Sequence, residues 1–355
     1  MLIHTLKTTL GQATFGLSRH RIDLLCKLLP ALIQTRTVNL RTLACALPGL
    51  ATIDSQYRRL QRFFSSGLCP SVFTQLIVDK LIVAGQPMLL VLDRTHWQLG
   101  QTDLNLLCLG LVFQGVSIPL VSRSLRRPGN SHTRERKQVM RQALSYLKGS
   151  TCCLLADREF IGKDWFRFLL GQRELTFVIR IRCTGRVILD DGQLRDLATM
   201  TRYWRRGATC TFYNVTLYQS LRLNLVAHRP RKGDPLLLIT NRDDLDQVII
   251  AYGHRWSIET AFGFLKSKGF HLEQTRLTQP DRLGLLIGVL ALALLWCLLI
   301  GLQQHRQKPI PIKKHGRRAI SLFRLGLDRL QQLMCNPEGS AKKQREAVRI
   351  LLSCT

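Results

Sequence analysis

One stretch decides how the whole sequence is interpreted: Tyr252-Gly-His-Arg-Trp-Ser-Ile-Glu-Thr-Ala-Phe-Gly-Phe-Leu-Lys266. Its spacing predicts a single helix, in which successive residues turn by about 100°. Four polar residues then share a stripe about 60° wide: Tyr252, Arg255, Glu259 and Lys266. Three apolar residues flank the stripe and would hold the helix against a core: Ile258, Phe262 and Leu265. An acid among a phenol, a guanidinium and an ammonium group suits a site that holds a metal ion and phosphates together.

The composition favours a globular protein with a polyanionic partner. The chain has 355 residues, and 46% of them are hydrophobic, which is enough for a sizeable core. Its 52 Lys and Arg against 23 Asp and Glu give a net charge of +29, which favours nucleic acid. Acidic membranes would also attract such a surface, so charge alone leaves both partners open. Eleven cysteines without a C-x-x-C pair, and an N-terminus without an apolar signal stretch, predict a reducing, cytoplasmic location.

One segment has the length and composition of a membrane span. Residues Leu283 to Leu302 carry no charge and are interrupted only by glycines. The alternative is a helix buried in the middle of a large core. We favour the buried helix, because the sequence has no second span and both flanks of the segment are basic.

Two apolar segments each end in an aspartate. Met88 to Leu92 precedes Asp93, and Cys152 to Ala156 precedes Asp157. Each segment is typical of a buried strand that delivers a carboxylate at its end. Two further strands and a helix between these segments place both aspartates on one sheet. Each aspartate alone is equally compatible with a helix cap or a salt bridge, but together with Glu259 they offer the oxygen ligands that Mg²⁺ takes.

The region between Asp157 and the quoted stretch is rich in predicted strands. We interpret residues 173–240 as an inserted β-rich subdomain. Several of its bases are candidates for lining a DNA groove: Arg205, Arg206, Arg229, Arg231 and Lys232. Solvated strand faces are the alternative for each of them. Trp204 lies beside two arginines and could stack on an unpaired base, although a tryptophan is more often part of a core.

The remaining divisions follow from proline positions and charge. Residues 1–85 are predicted to be a helical, DNA-binding region. The catalytic core is predicted to comprise residues 86–172 and 241–305. Residues 306–355 form a basic C-terminal helical region, which begins with an extended linker around Pro309 and Pro311.

The order of the motifs is Asp93, Asp157, a β-rich insertion and then Tyr252-x2-Arg255-x3-Glu259-x6-Lys266. This order resembles the DDE transposases of bacterial insertion sequences, and its Y-R-E-K spacing resembles the insertion-sequence-four type. The resemblance covers about residues 85 to 305. Three further stretches also look like this family: Leu92-Asp-Arg-Thr-x-Trp97, Gly129-Asn-Ser131 and Ala156-Asp-Arg-Glu-Phe-Ile-Gly162.

The resemblance implies an α/β (α+β) fold: a ribonuclease-H-like catalytic core interrupted by the β-rich insertion, with helical N- and C-terminal regions. It implies that Asp93, Asp157 and Glu259 bind two Mg²⁺ ions, which Mn²⁺ could replace. Tyr252, Arg255 and Lys266 would contact DNA phosphates next to the cut. The implied partners are double-stranded DNA, as element ends and target, and a second copy of the chain in a homodimer on DNA in the bacterial cytoplasm.

Three functions remain open at this stage. The leading hypothesis is a transposase that cuts the ends of its element and joins them to target DNA. The second is a nuclease of the same fold that cuts without joining. The third is a catalytically silent DNA-binding relative, whose hallmark would be the loss of one acid, and all three acids are present here.

Overall fold

The computed structural model describes residues 3–4, 6–7, 17–82, 85–99, 101–202, 204–314, 316–336 and 341–352. The described chain starts with helices, as the sequence predicts for this region: α1 (Arg19–Thr35), α2 (Leu40–Ala46), α3 (Ile53–Phe64) and α4 (Ser71–Leu81). Side-chain caps begin two of them, because the Asn39 and Thr52 side chains accept the amides of Arg41 and Ser55. The apolar side of α3 is buried through Leu60, Phe63 and Phe64.

Within the described residues, ten strands form one mixed sheet in the order β3-β2-β1-β4-β5-β10-β9-β8-β6-β7. The strands are β1 (Met88–Leu99), β2 (Thr102–Phe113), β3 (Val116–Ser124), β4 (Cys152–Ala156), β5 (Leu175–Arg180), β6 (Arg186–Ile188), β7 (Leu194–Asp196), β8 (Thr209–Leu217), β9 (Leu221–His228) and β10 (Leu236–Thr240). The centre is parallel, since β4 pairs in parallel with β1 and with β5. All five residues of β4 are buried, as expected for a central parallel strand.

The prediction that a strand ends at Asp93 is wrong. Strand β1 continues to Leu99, because its antiparallel partner β2 pairs with it as far as Leu99 and Thr102. Parallel pairing with β4 nevertheless stops at Leu92 and Ala156. Asp93 therefore lies in the middle of a strand, at the point where one of its two neighbours ends.

The β-rich insertion does not form a sheet of its own. Strand β5 pairs with β4, β10 pairs with β5, and β9, β8, β6 and β7 extend the same sheet outward. A short helix, α7 (Leu197–Arg202), follows β7. The division of the chain into domains stays a prediction, and the sheet runs without interruption across the proposed boundary at residue 173.

Helices α5 (Thr133–Tyr146) and α6 (Lys163–Leu170) connect the parallel strands and pack against the sheet. The apolar segment forms helix α10 (Pro280–Gln307). Among the described residues it is the one helix long and apolar enough to cross a membrane, and 89% of its most apolar window is buried inside the fold. This burial confirms the prediction of a core helix.

The quoted stretch is not a single regular helix, which corrects the prediction. It comprises α8 (Val248–Gly253), a 3₁₀ turn at His254–Trp256, and α9 (Ser257–Leu265). Gly253 lies at the junction, and glycine weakens a helix locally. The chain leaves the helical conformation at Lys266, whose φ is −90° and ψ is −123°.

The basic linker is a hairpin rather than a simple extended segment. Ile312 and Arg318 form a β-bridge, and the Lys313 amide donates to the Arg317 carbonyl at 2.8 Å. Helices α11 (Leu322–Cys335) and α12 (Ala341–Leu352) follow it. The Trp296 indole of α10 donates to the Ala347 carbonyl of α12 at 2.9 Å, so this region packs on the core helix.

Candidate active site

Asp93 and Asp157 are neighbours on adjacent strands. Each follows the last parallel pair of β1 and β4, which joins Leu92 to Ala156. Each carboxylate accepts a hydrogen bond from the amide of the next residue, Arg94 or Arg158, at 2.7 Å. The sheet therefore fixes both backbones, and the following amides orient both carboxylates.

Arg255 joins the sheet to the helical segment. Its Nη1 lies 3.3 Å from Asp93 Oδ2, and its Nη2 lies 2.8 Å from Glu259 Oε1. The side chain is buried, whereas 40% of the Glu259 side chain is exposed. Among the described residues, Arg255 Nε has no hydrogen-bond partner. One guanidinium thus brings two of the three predicted carboxylates to a common point.

Tyr252 makes the corresponding contact with the third carboxylate. Its hydroxyl lies 3.4 Å from Asp157 Oδ1, which is a long and therefore weak hydrogen bond. Burial, together with the charge of Asp157, raises the pKa of the Tyr252 phenol. The phenol therefore stays protonated at neutral pH and is a hydrogen-bond donor.

The charges at this site are only partly compensated. Burial raises the pKa of Asp93 to about 6, and the charges of Glu259 and Asp157 act in the same direction. The Arg94 amide and Arg255 oppose that shift. Burial alone would lower the pKa of Arg255, but the hydrogen bond to Glu259 and the neighbouring acidic groups outweigh it, so this pKa is raised. Arg255 remains a cation among the carboxylates.

Lys266 lies apart from the carboxylates, although the sequence predicts it on the same stripe. Its Nζ donates to the His96 carbonyl at 3.0 Å and lies 3.1 Å from Glu273. It also sits 5.2 Å from the centre of the Trp97 ring. Because the helix ends before Lys266, the residue is turned toward a later part of β1.

The predicted groove residues lie together at the start of β8 and the end of β9. Arg206 donates to the Arg231 carbonyl at 2.7 Å, and Arg229 donates to the carbonyls of Arg202 and Trp204. Arg205, Arg206, Arg231 and Lys232 are exposed. The Trp204 ring is half-buried and stacks on Phe212, with ring centres 6.2 Å apart. That ring is therefore in contact with β8 in this structure.

The sequence reasoning missed one polar cluster beside the aspartates. Arg94, directly after Asp93, forms an ion pair with Glu159, two residues after Asp157, at 2.7 Å. The sequence signals are that both residues lie within two positions of a predicted carboxylate and belong to the family-like stretches at 92–97 and 156–162. Their separation of 65 positions hides the pairing.

The carboxylate oxygens at this site are of the kind that a divalent cation binds, although their present arrangement does not enclose an ion. In the part of the chain that the structure describes, no group of three or more His, Cys, Asp or Glu is close enough to hold one ion together. Arg255 lies between Asp93 and Glu259 instead. Carboxylate oxygens are nevertheless the ligands that Mg²⁺ and Mn²⁺ prefer. A cation would also stabilise the charged form of Asp93, whose pKa is raised mainly by burial.

The comparison with protein families decides the relationship. The model described as "Transposase DDE domain" matches residues 85–296, more than half of the chain. The chain belongs to the transposase DDE domain family. The matched region of this transposase domain begins just before β1 and ends within α10, so it includes all three carboxylates.

Two further comparisons add little to the family match. A solved structure described as the piggyBac transposase synaptic complex with hairpin DNA is similar to this transposase-family chain at 11% identity and a TM-score of 0.40. The match covers 74% of this chain and 57% of that chain, so this protein spans little more than half the length of the solved relative. No curated protein sequence matches the chain.

Proposed function

We propose that this protein is a DNA transposase that binds the ends of its own insertion sequence, cuts them and joins them to target DNA. The observation that carries the proposal is the placement of Asp93 and Asp157 side by side, with Glu259 linked to Asp93 through Arg255. Membership of the transposase DDE domain family supports the same function. The proposal includes the insertion-sequence-four type, a ribonuclease-H-like core and bacterial origin, for which the Y-R-E-K spacing is the support.

The proposed site holds divalent cations through Asp93, Asp157 and Glu259. Bound Mg²⁺ would supply activation of the attacking oxygen and stabilisation of the leaving oxygen. Arg255 has two N–H groups directed at the site and can bind a phosphate with both of them. The protonated Tyr252 phenol can donate to a phosphate oxygen, and Lys266 supplies a point charge farther along β1.

Double-stranded DNA is the proposed partner, as element ends and as target. The net charge of +29 supports a polyanion, and the exposed bases of residues 205–232 are the proposed groove. Residues 1–85 are proposed to bind DNA as well, and Trp204 to stack on a base if its present contact with Phe212 opens. We propose that two copies act together on DNA in the bacterial cytoplasm.

The test is an assay of cutting and joining with purified protein, Mg²⁺ or Mn²⁺, and DNA carrying the inverted repeats that flank the gene. We expect Asp93→Ala, Asp157→Ala and Glu259→Ala each to lower cleavage at least about a thousandfold, since metal catalysis supplies several kcal/mol. DNA binding should persist, because each substitution removes a negative charge. Full cleavage by all three variants would contradict the assignment of Asp93, Asp157 and Glu259 as catalytic residues.

The same assay separates the alternative functions. Supplying a pre-cut end with a free 3′-hydroxyl and a target plasmid gives joined product for a transposase and none for a nuclease. A catalytically silent relative would bind the end DNA and give neither product.

A further inference from the structure

The proposed chemistry does not use one polar cluster beside the two aspartates. This Arg94 cluster comprises Arg94, Asn105, Asn130, Ser131, Arg136 and Glu159. Arg94 is its centre. Its guanidinium donates to Glu159 Oε1 at 2.7 Å, to Asn105 Oδ1 at 3.0 Å and to Asn130 Oδ1 at 3.2 Å. Three separate segments of the chain are therefore held by one side chain.

Glu159 is held from a second direction. The Ser131 amide and hydroxyl lie 3.2 and 3.3 Å from its Oε1. Arg136 on α5, which is almost fully buried, donates to the Ser131 hydroxyl at 2.9 Å and to the Glu159 carbonyl at 3.0 Å. The Glu159 backbone and side chain are thus both fixed, two residues from Asp157.

Asn105 closes the cluster on the other side. It is buried in β2, and its amide nitrogen donates to the carbonyls of Arg127 and Gly129 at 2.9 Å each. This anchors the loop that carries Asn130 and Ser131. The ring of contacts therefore runs from β1 through β2 and this loop to the segment after β4.

The Arg94 cluster and the Asp93 carboxylate lie on opposite faces of the sheet. Consecutive residues of a strand point to opposite faces of the sheet, so Arg94 and Asp93 lie on opposite faces. Paired residues of neighbouring strands share a face of the sheet, so Asp93 shares one face with Cys108, and Arg94 shares the other with Leu107. The helical segment that carries Glu259 contacts Asp93, whereas α5 contacts the Arg94 side.

We propose that the Arg94–Glu159 ion pair is a positioning device that sets the spacing of Asp93 and Asp157 for cation binding. The inference rests on the proposed function. Parallel pairing of β1 and β4 ends immediately before the two aspartates, so the backbone ladder no longer joins the strands there. The Arg94–Glu159 pair replaces that ladder as the cross-link, with both side chains only 18% exposed. A ligand set displaced by a fraction of an ångström binds its ion more weakly.

The experiment measures Mn²⁺ binding to the full chain directly, by electron paramagnetic resonance of free Mn²⁺, without DNA. Glu159→Gln keeps the shape of the side chain and removes its charge, and Arg94→Gln removes the other partner. We expect each to weaken Mn²⁺ binding about tenfold or more, as loss of a supporting partner typically does. The double variant should lose no more than either single one, because the two residues act as one unit.

A surface pair serves as the matched control. Arg324 and Asp328 form an ion pair one turn apart on α11, with both side chains well exposed. The control variant Arg324→Gln with Asp328→Asn should leave Mn²⁺ binding unchanged. Thermal unfolding of every variant, together with Glu159→Asp as a milder change, separates weakened binding from loss of the fold.

The possible results distinguish this inference from the proposed function. Unchanged Mn²⁺ affinity in folded Glu159→Gln, with binding lost in Asp93→Asn, overturns the positioning role alone. If the wild-type protein binds no Mn²⁺, or if Asp93→Asn binds it normally, both proposals fail. A tenfold loss in Glu159→Gln and Arg94→Gln, with normal binding by the control, supports the positioning role.

Discussion

Asp93 is a carboxylate whose buried charge its neighbours compensate only in part. Its folded-state pKa of about 6 lies above the value near 3.9 of an unfolded chain. The folded protein therefore holds the proton more tightly. The resulting stabilisation is fully present below about pH 4 and is lost as pH rises through about 6. The shift corresponds to about 3 kcal/mol at most.

We predict that Asp93→Asn raises the melting temperature at pH 8 in the absence of divalent metal. The variant removes the buried charge, so its advantage over the wild-type protein should shrink toward zero between pH 6 and pH 4. Thermal unfolding followed by circular dichroism across this range measures the difference. Asp54→Asn is the control, because Asp54 pairs with Arg41 on an exposed surface. An Asp93→Asn advantage of the same size at pH 4 and pH 8 would contradict the predicted titration.

At the scale of elements, prediction from the sequence succeeds where the information is local. The apolar segment Cys152 to Ala156 is a buried strand followed by an acid, and the long apolar segment is a buried helix. Prediction from the sequence fails where pairing with a distant strand determines the structure. Strand β1 extends past Asp93 because β2 pairs with it, and the insertion joins the core sheet because β5 pairs with β4.

The candidate site follows the same rule. Helical spacing predicts that Tyr252, Arg255 and Glu259 lie near one another, and the apolar strands predict that Asp93 and Asp157 lie on one sheet. The prediction that Lys266 lies on the same stripe as Arg255 and Glu259 is wrong, because the helix ends one residue before it. The Arg94–Glu159 pair has no local pattern, because its two residues are brought together only by the parallel pairing of β1 and β4.

Helix α10 provides a test of close packing between elements. A Cβ atom at Gly301 would lie 1.9 Å from the Leu322 carbonyl oxygen of α11, whereas one at Gly284 would meet only Pro70, at 3.5 Å. We predict that Gly301→Ala lowers the free energy of unfolding by about 1 to 3 kcal/mol through overpacking. Gly284→Ala in the same helix should be neutral or stabilising by up to about 1 kcal/mol, since alanine favours helices.

Chemical denaturation of both variants measures the two effects. Similar stability of both alanine variants would show that α10 and α11 can separate without cost. The same pair of variants also probes the C-terminal region, because α11 packs closely along α10 at Gly301.

At the scale of the whole molecule, basic surfaces flank the carboxylates along the sheet. The cluster of residues 205–232 lies at β8 and β9. The hairpin, described for residues 312–314 and 316–318, lies beside the turn between β2 and β3. In the order of the strands, Asp93 on β1 and Asp157 directly after β4 lie between these two surfaces. A groove of about 510 Å³ separates the hairpin from Thr260, the residue after Glu259. Under the proposed function, one DNA duplex crossing the site would contact both surfaces.

We predict that replacing Lys313 and Lys314 of the hairpin by glutamine weakens binding to DNA of any sequence. Each lost phosphate contact should reduce the slope of log affinity against log salt by about 1. Lys148→Gln with Arg173→Gln is the matched control, since both residues are exposed, precede β4 and β5, and belong to neither of the two basic surfaces. Fluorescence anisotropy over a range of salt concentrations measures both slopes. Equal slopes for the hairpin and control variants would place the bound duplex on the β8 and β9 side of the carboxylates alone, because a duplex that spans the site has to release counterions from both flanks.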